Sequence, residues 1–143
     1  FQPADKFLQT GAFNRLSHLF FRSVFLSEQN PNSKDYSEEA LREQAAGMAY
    51  AMKKLEACDG IDAYQMHGWF DQRAEGGLRI GVRRFMDDET DPGGRKPAWF
   101  VFQAFGTDRE DEVFEFAKDI IGIDDWDQVI YKAPIPMRPE LND

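Results

Sequence analysis

The feature that most limits what this chain can fold into is the order of its hydrophobic patterns: a short apolar run, a long amphipathic stretch, then a second short apolar run. The first, Val24-Phe25-Leu26, has no polar face, the pattern of a strand covered on both sides. It gives way abruptly to Ser27-Glu28-Gln29-Asn30-Pro31, and Asn30 to Ser37 reads as loop. From Ser37 to about Ala57, Leu41, Ala45, Met48, Met52 and Leu55 recur at intervals of three and four, which lines one face of a helix. Asp35 and Glu38 resemble a capping arrangement at its start, and Gly60 closes the connection behind it. Ile61 to Met66 alternates, carries Tyr64, and predicts a second short strand. It too ends in polar and aromatic residues: Gln65, His67, Trp69 and Asp71.

Strands alternating with longer helices predict an α/β fold with parallel βαβ organisation. The rest of the chain adds helices rather than strands. Leu78 to Val82 reads as a strand or an extended loop edge, and Asp87 to Arg95, with the turn Pro92-Gly93-Gly94, as an exposed acidic loop. Pro97 opens a helix to about Phe105. Thr107 and Glu110 have the spacing of a capping box for another, ending at Gly122. One or two short helices are expected within Phe1 to Phe21, and the tail from Ala133, with Pro134, Pro136 and Pro139, reads as an extended exit. Two strands cannot cover these helices, so further strands are expected beyond this polypeptide.

Composition removes several functions. The formal net charge is -9, from 26 acidic and 17 basic residues, and no basic run exceeds Arg83-Arg84. A nucleic-acid or anionic-membrane surface would need a basic face, so neither partner is expected. No apolar run approaches the roughly 18 residues of a membrane span. The single Cys58 forms no disulfide within the chain and reads as a small packed side chain. His18 and His67 fit no zinc spacing, the paired glycines fit no phosphate-binding fingerprint, and no cofactor or metal is expected.

In parallel α/β folds, chemistry gathers where strands end at their carboxyl side. Glu28 stands there after the first run. A carboxylate so held could act as a nucleophile in sugar chemistry, or it could cap its loop or pair with an arginine. His67, Trp69 and Asp71 follow the second run and suit a sugar site, in which aromatic faces stack and polar groups fix hydroxyls. They equally suit a loop packed over the sheet, with Asp71, Arg73 and Glu75 as a salt-bridge network.

At this point the residues resemble a known pattern. Val24-Phe25-Leu26-Ser27-Glu28-Gln29 looks like the seventh strand of the large retaining (β/α)8 clan of glycosidases, where the nucleophile Glu ends the strand. Gly60-Ile61-Asp62-Ala63-Tyr64 resembles the eighth strand, and Lys96-Pro97-Ala98-Trp99 the start of the eighth helix. The run His67 to Gly81, with Asp71, Arg73 and Glu75-Gly76-Gly77-Leu78, is similar to a bacterial glycosidase-like family of unknown function, domain of unknown function 5722, related in fold to glycoside hydrolase family 39. The resemblance implies that residues 1–132 are the C-terminal βα units, about strands 7 and 8 with their helices, of a TIM (β/α)8 barrel. Residues 133–143 would be the extended tail.

It further implies a retaining hydrolase of O-glycosidic bonds in a poly- or oligosaccharide. Glu28 would be the nucleophile, with Gln29, Tyr64, His67, Trp69, Asp71 and Arg73 contacting substrate. A complete barrel needs about 250 residues, so the 143-residue chain is expected to be a fragment that needs the N-terminal part of the barrel. The clan's acid/base Glu, which belongs at the fourth strand's end, has no match here, and the chain alone is expected to be inactive. A secreted or periplasmic location follows from where such enzymes meet polysaccharides. The alternatives are a non-catalytic carbohydrate-binding barrel and a small α/β interaction domain.

Overall fold

The computed structural model describes residues 24–26, 30–57 and 61–130, with backbone alone for 24–26 and 61–62. The helices expected within Phe1 to Phe21, Cys58, Gly60 and the tail from Ala133 lie outside the described residues. The elements are β1 (Val24–Leu26), α1 (Glu38–Glu56), β2 (Ile61–Tyr64), α2 (Pro97–Ala104), α3 (Glu110–Ile121) and a 3-10 turn at Trp126–Gln128. β1 and β2 pair in parallel, Phe25 opposite Ala63 and Leu26 opposite Tyr64, with an irregularity between Val24 and Phe25. A parallel pair needs a crossover of a dozen or more residues, and α1 lies within it. The second strand ends two residues sooner than its alternation suggests, because the backbone of the following residues turns to bond the segment after β1.

α1 is amphipathic as its spacing predicts. Leu41, Ala45, Met48, Met52 and Leu55 are all buried. Its cap differs from expectation. Ser37 is the N-cap and accepts from the Ala40 amide at 3.3 Å, while Asp35 steadies the cap by accepting from the Ser37 amide at 2.8 Å. Glu38 and Glu39 in the first turn and Lys53 and Lys54 in the last suit the helix dipole.

The core forms where α1 meets α2 and α3. Ala45, Ala46 and Ala49 of α1 face Ala98, Val101 and Ala104 of α2 and Phe114 and Ala117 of α3 in one cluster with Met48, Met52 and Val82. Small side chains on all three helices let the axes approach closely. The larger Phe114, Met48 and Met52 fill what remains, each burial contributing about 1.5–3 kcal/mol.

α2 starts at Pro97 and stops one residue before the expected Phe105, which becomes its C-cap. Thr107 and Glu110 form no capping box. Glu110 is itself the first residue of α3, so its carboxylate reaches back to accept from the Gly106 amide at 2.6 Å. Thr107 Oγ1 instead donates to the Ala104 carbonyl at 2.6 Å. The other carboxylate oxygen of Glu110 meets Lys53, tying α3 to α1. Gly122 ends α3 at φ 81°, a left-handed conformation that a glycine adopts without strain. No helix among the described residues is long and apolar enough to cross a membrane.

Candidate functional site

The polar segments that leave β1 and β2 are fastened together. Asn30 donates through Nδ2 to the carbonyls of His67 and Ile80, each at 2.8 Å, and accepts through Oδ1 from the His67 amide at 3.2 Å. Two residues beyond Glu28, the chain is therefore held against the loop that follows β2. That loop, 65–96, is not a free excursion. Backbone bonds from Arg83 to Trp69, Asp71 to Arg83, Gln72 to Leu78 and Lys96 to Val82 fold it onto itself. Leu78 to Val82 is thus an extended loop edge, bridged to Gln72 at Leu78, and not a strand of the sheet. A Cβ at Gly81 would overlap the Phe70 carbonyl carbon and the Asp71 amide, so only glycine permits this approach.

Beneath the loop lies a buried polar hub. Asp71 Oδ1 accepts from Lys96 Nζ and from the Gly81 amide, both at 2.9 Å, and Oδ2 accepts from the Tyr36 hydroxyl at 2.6 Å. Both charged side chains are fully inaccessible. The Arg79 carbonyl accepts from Lys96 Nζ, Gln44 Nε2 and the Ser33 amide, joining α1 and the segment after β1 to the same point. Burial pushes the Lys96 ammonium below the ordinary lysine range; Asp71 opposes this, and Arg79 and Arg84 reinforce it. Burial, then Asp71, holds the Tyr36 phenol above its ordinary range.

The outer surface of the loop is aromatic and cationic. Trp69 is half exposed; its ring lies 5.5 Å from that of Trp99 and 5.3 Å from that of Phe102. Arg95 and Arg83 lie over Trp99 at 5.0 and 5.6 Å. His67 Nε2 faces Glu75 at 3.6 Å. Arg73 pairs with Asp87 through Nε at 2.9 Å and covers the Phe85 ring at 4.0 Å.

The model of a family of unknown function (DUF5722) matches residues 5–129. The chain belongs to that family. No curated protein and no solved structure matches it.

The DUF5722 match spans both strands, all three helices and the whole loop. Of the residues that the sequence singled out, Glu28 and Gln29 lie outside the described residues. His67 and Trp69 both keep accessible side chains on the loop. Tyr64 is part-buried against the core, and burial raises its phenol. Asp71 requires a correction as a substrate contact. Its carboxylate is inaccessible and bonded to three partners, so it positions the loop instead. Nor do Asp71, Arg73 and Glu75 form a network with one another, since each has a separate partner. Asn30, Lys96, Arg83 and Arg95 were not among the sequence candidates. Only Asn30 carried a usable signal, an amide side chain two residues after a strand-end carboxylate and directly before Pro31. Among the described residues no group of three or more His, Cys, Asp or Glu side chains could hold a metal.

Proposed function

We propose that the chain supplies the C-terminal βα units of a (β/α)8-barrel glycoside hydrolase, with β1 and β2 as its seventh and eighth strands. In this reading the enzyme cleaves an O-glycosidic bond by retaining double displacement, and Glu28 is the nucleophile. The observation that carries it is the parallel pairing of β1 and β2 together with the Asn30 clamp on His67. The pairing directs both polar segments from the same end of the sheet. The clamp keeps the chain just past Glu28 beside the loop bearing Trp69.

The chemistry follows from that placement. A carboxylate on a strand end attacks the anomeric carbon while a second carboxylic acid, roughly 5–5.5 Å away, protonates the leaving oxygen. That acid comes from a strand outside this chain. The half-exposed Trp69 offers a flat apolar face to the sugar, and His67 and Arg73 offer donors at its rim. Asp71 acts through the loop, not on the substrate.

The test is covalent trapping on the full gene product that carries this chain. A 2-deoxy-2-fluoro glycoside with a good leaving group should label the peptide containing Glu28, and Glu28→Gln should lower turnover at least about a thousandfold. Labelling of another carboxylate, or turnover retained in Glu28→Gln, would sink the assignment. Saccharide binding with neither label nor turnover would instead favour a non-catalytic carbohydrate-binding barrel.

A further inference from the structure

Among the described residues, the outer face of the loop holds two guanidinium groups without carboxylate partners. Arg83 and Arg95 sit opposite each other on a bridge, and both lie over the Trp99 ring. Arg83 uses Nε to donate to the Gly93 carbonyl at 2.7 Å, which leaves its two terminal amino groups unbonded among the described residues. Arg95 is exposed and makes no ion pair with them. The chain has nine more acidic than basic residues, and three other loop cations are matched: Arg73 with Asp87, Arg84 with Asp88, Lys96 with Asp71. Arg79 has no carboxylate partner either among the described residues, but it is turned away to the Lys34 carbonyl at 3.1 Å and the Tyr36 ring. Of the nearby acids, Glu75 faces His67. Asp91 folds over Gly94 and pairs with neither arginine.

Beside this cationic pair stands Trp69. Its ring packs on Trp99 and Phe102 and remains half exposed to solvent. An aromatic face next to two planar, donor-rich cations is complementary to a ring with an apolar face and an anionic substituent. Stacking on Trp69 would put that substituent within one or two sugar units of the guanidinium forks. An acidic peptide would use the arginines but has no need of the exposed indole face.

We infer that Trp69, Arg83 and Arg95 form a subsite for a sugar bearing an anionic group, a uronate carboxylate or a sulfate ester. The inference rests on the glycosidase reading for the saccharide and on the unpaired arginines for its charge. Arg95 supplies an accessible fork, Arg83 a second one held in place by Gly93, and Trp69 the platform. Guanidinium binds either anion through two parallel hydrogen bonds.

The experiment is titration calorimetry on the full gene product carrying Glu28→Gln, so that nothing is turned over. The ligands are an oligouronate, its carboxyl-reduced counterpart and a sulfated oligosaccharide of similar length. At least one anionic ligand should bind about tenfold more tightly than the neutral one, and which one does so identifies the group. That preference should fall to about twofold in Arg95→Gln, whose exposed side chain leaves the fold undisturbed; Trp69→Ala should weaken acidic and neutral ligands alike. Equal affinity for charged and neutral sugars, no binding at all, or a preference that survives Arg95→Gln would overturn the proposal. Charge-selective binding without labelling of Glu28 would remove the hydrolase reading and leave this subsite standing. Labelling without charge selectivity would do the reverse.

Discussion

Asp71 is the residue on which the loop turns. Its two oxygens hold a lysine, a phenol and a backbone amide in a place that water does not reach. Removing one partner of such a pair strands a buried charge, so Asp71→Asn is expected to destabilise the protein by about 3–5 kcal/mol. The double change Asp71→Leu, Lys96→Met should cost clearly less, because no unpaired charge remains. Equilibrium denaturation of the wild type and the two variants checks this; a double variant worse than Asp71→Asn would contradict it. Asp71 was legible in the sequence as a residue of consequence, since it follows a strand end. Its role was not legible, because Lys96 and Tyr36 are 25 and 35 residues away and nothing in their spacing joins them.

Among the elements, the joint between α1 and α3 depends on Lys53 and Glu110. Burial disfavours the Lys53 ammonium, but Glu110, Glu56 and Asp111 together outweigh it and raise its pKa above the ordinary value. The folded protein thus holds this proton more tightly than the unfolded chain does. The stability it contributes is complete below the lysine value of about 10.4 and is lost as pH rises through the higher folded value. Denaturation midpoints should therefore fall more steeply above pH of about 10.5 in the wild type than in Lys53→Met. Lys53→Met itself should cost about 1–3 kcal/mol at neutral pH by leaving Glu110 without its cation. Identical alkaline slopes would show that the pair contributes nothing. The helices themselves were readable from periodicity and from Pro97 and Gly122. Their caps were less so: Ser37, not Asp35, closes α1, and Glu110 serves the Gly106 amide and Lys53. A cap depends on which of several nearby polar side chains reaches an amide, and that is settled by the path of the preceding loop.

For the whole molecule, β1 and β2 pair only with each other among the described residues, which leaves each with an edge that needs a partner. On the barrel proposal those partners are strands outside this chain. The isolated 143-residue polypeptide should then show no glycosidase turnover and no single cooperative thermal transition in calorimetry. A sharp transition from a monomer would support an independent α/β domain and count against the barrel. The α1–α2–α3 cluster is a core in its own right, so the helical side should retain more protection from hydrogen exchange than the strands.

What the sequence determined by itself was local. Apolar runs of three or four residues named the strands, a stripe at helical spacing named α1, and Pro97 with Gly122 bounded the helices behind it. The two polar strand ends could also be picked out, since a change from apolar to polar at a strand terminus is visible in one dimension. Tertiary structure decided which of those polar residues face water and which are consumed by the fold. It buried Asp71, exposed Trp69, drew Asn30 onto His67 and left Arg83 and Arg95 beside Trp99 without counter-charges among the described residues. Each outcome depends on atoms brought together from distant parts of the chain, where desolvation and hydrogen-bond geometry, rather than residue type, set the role.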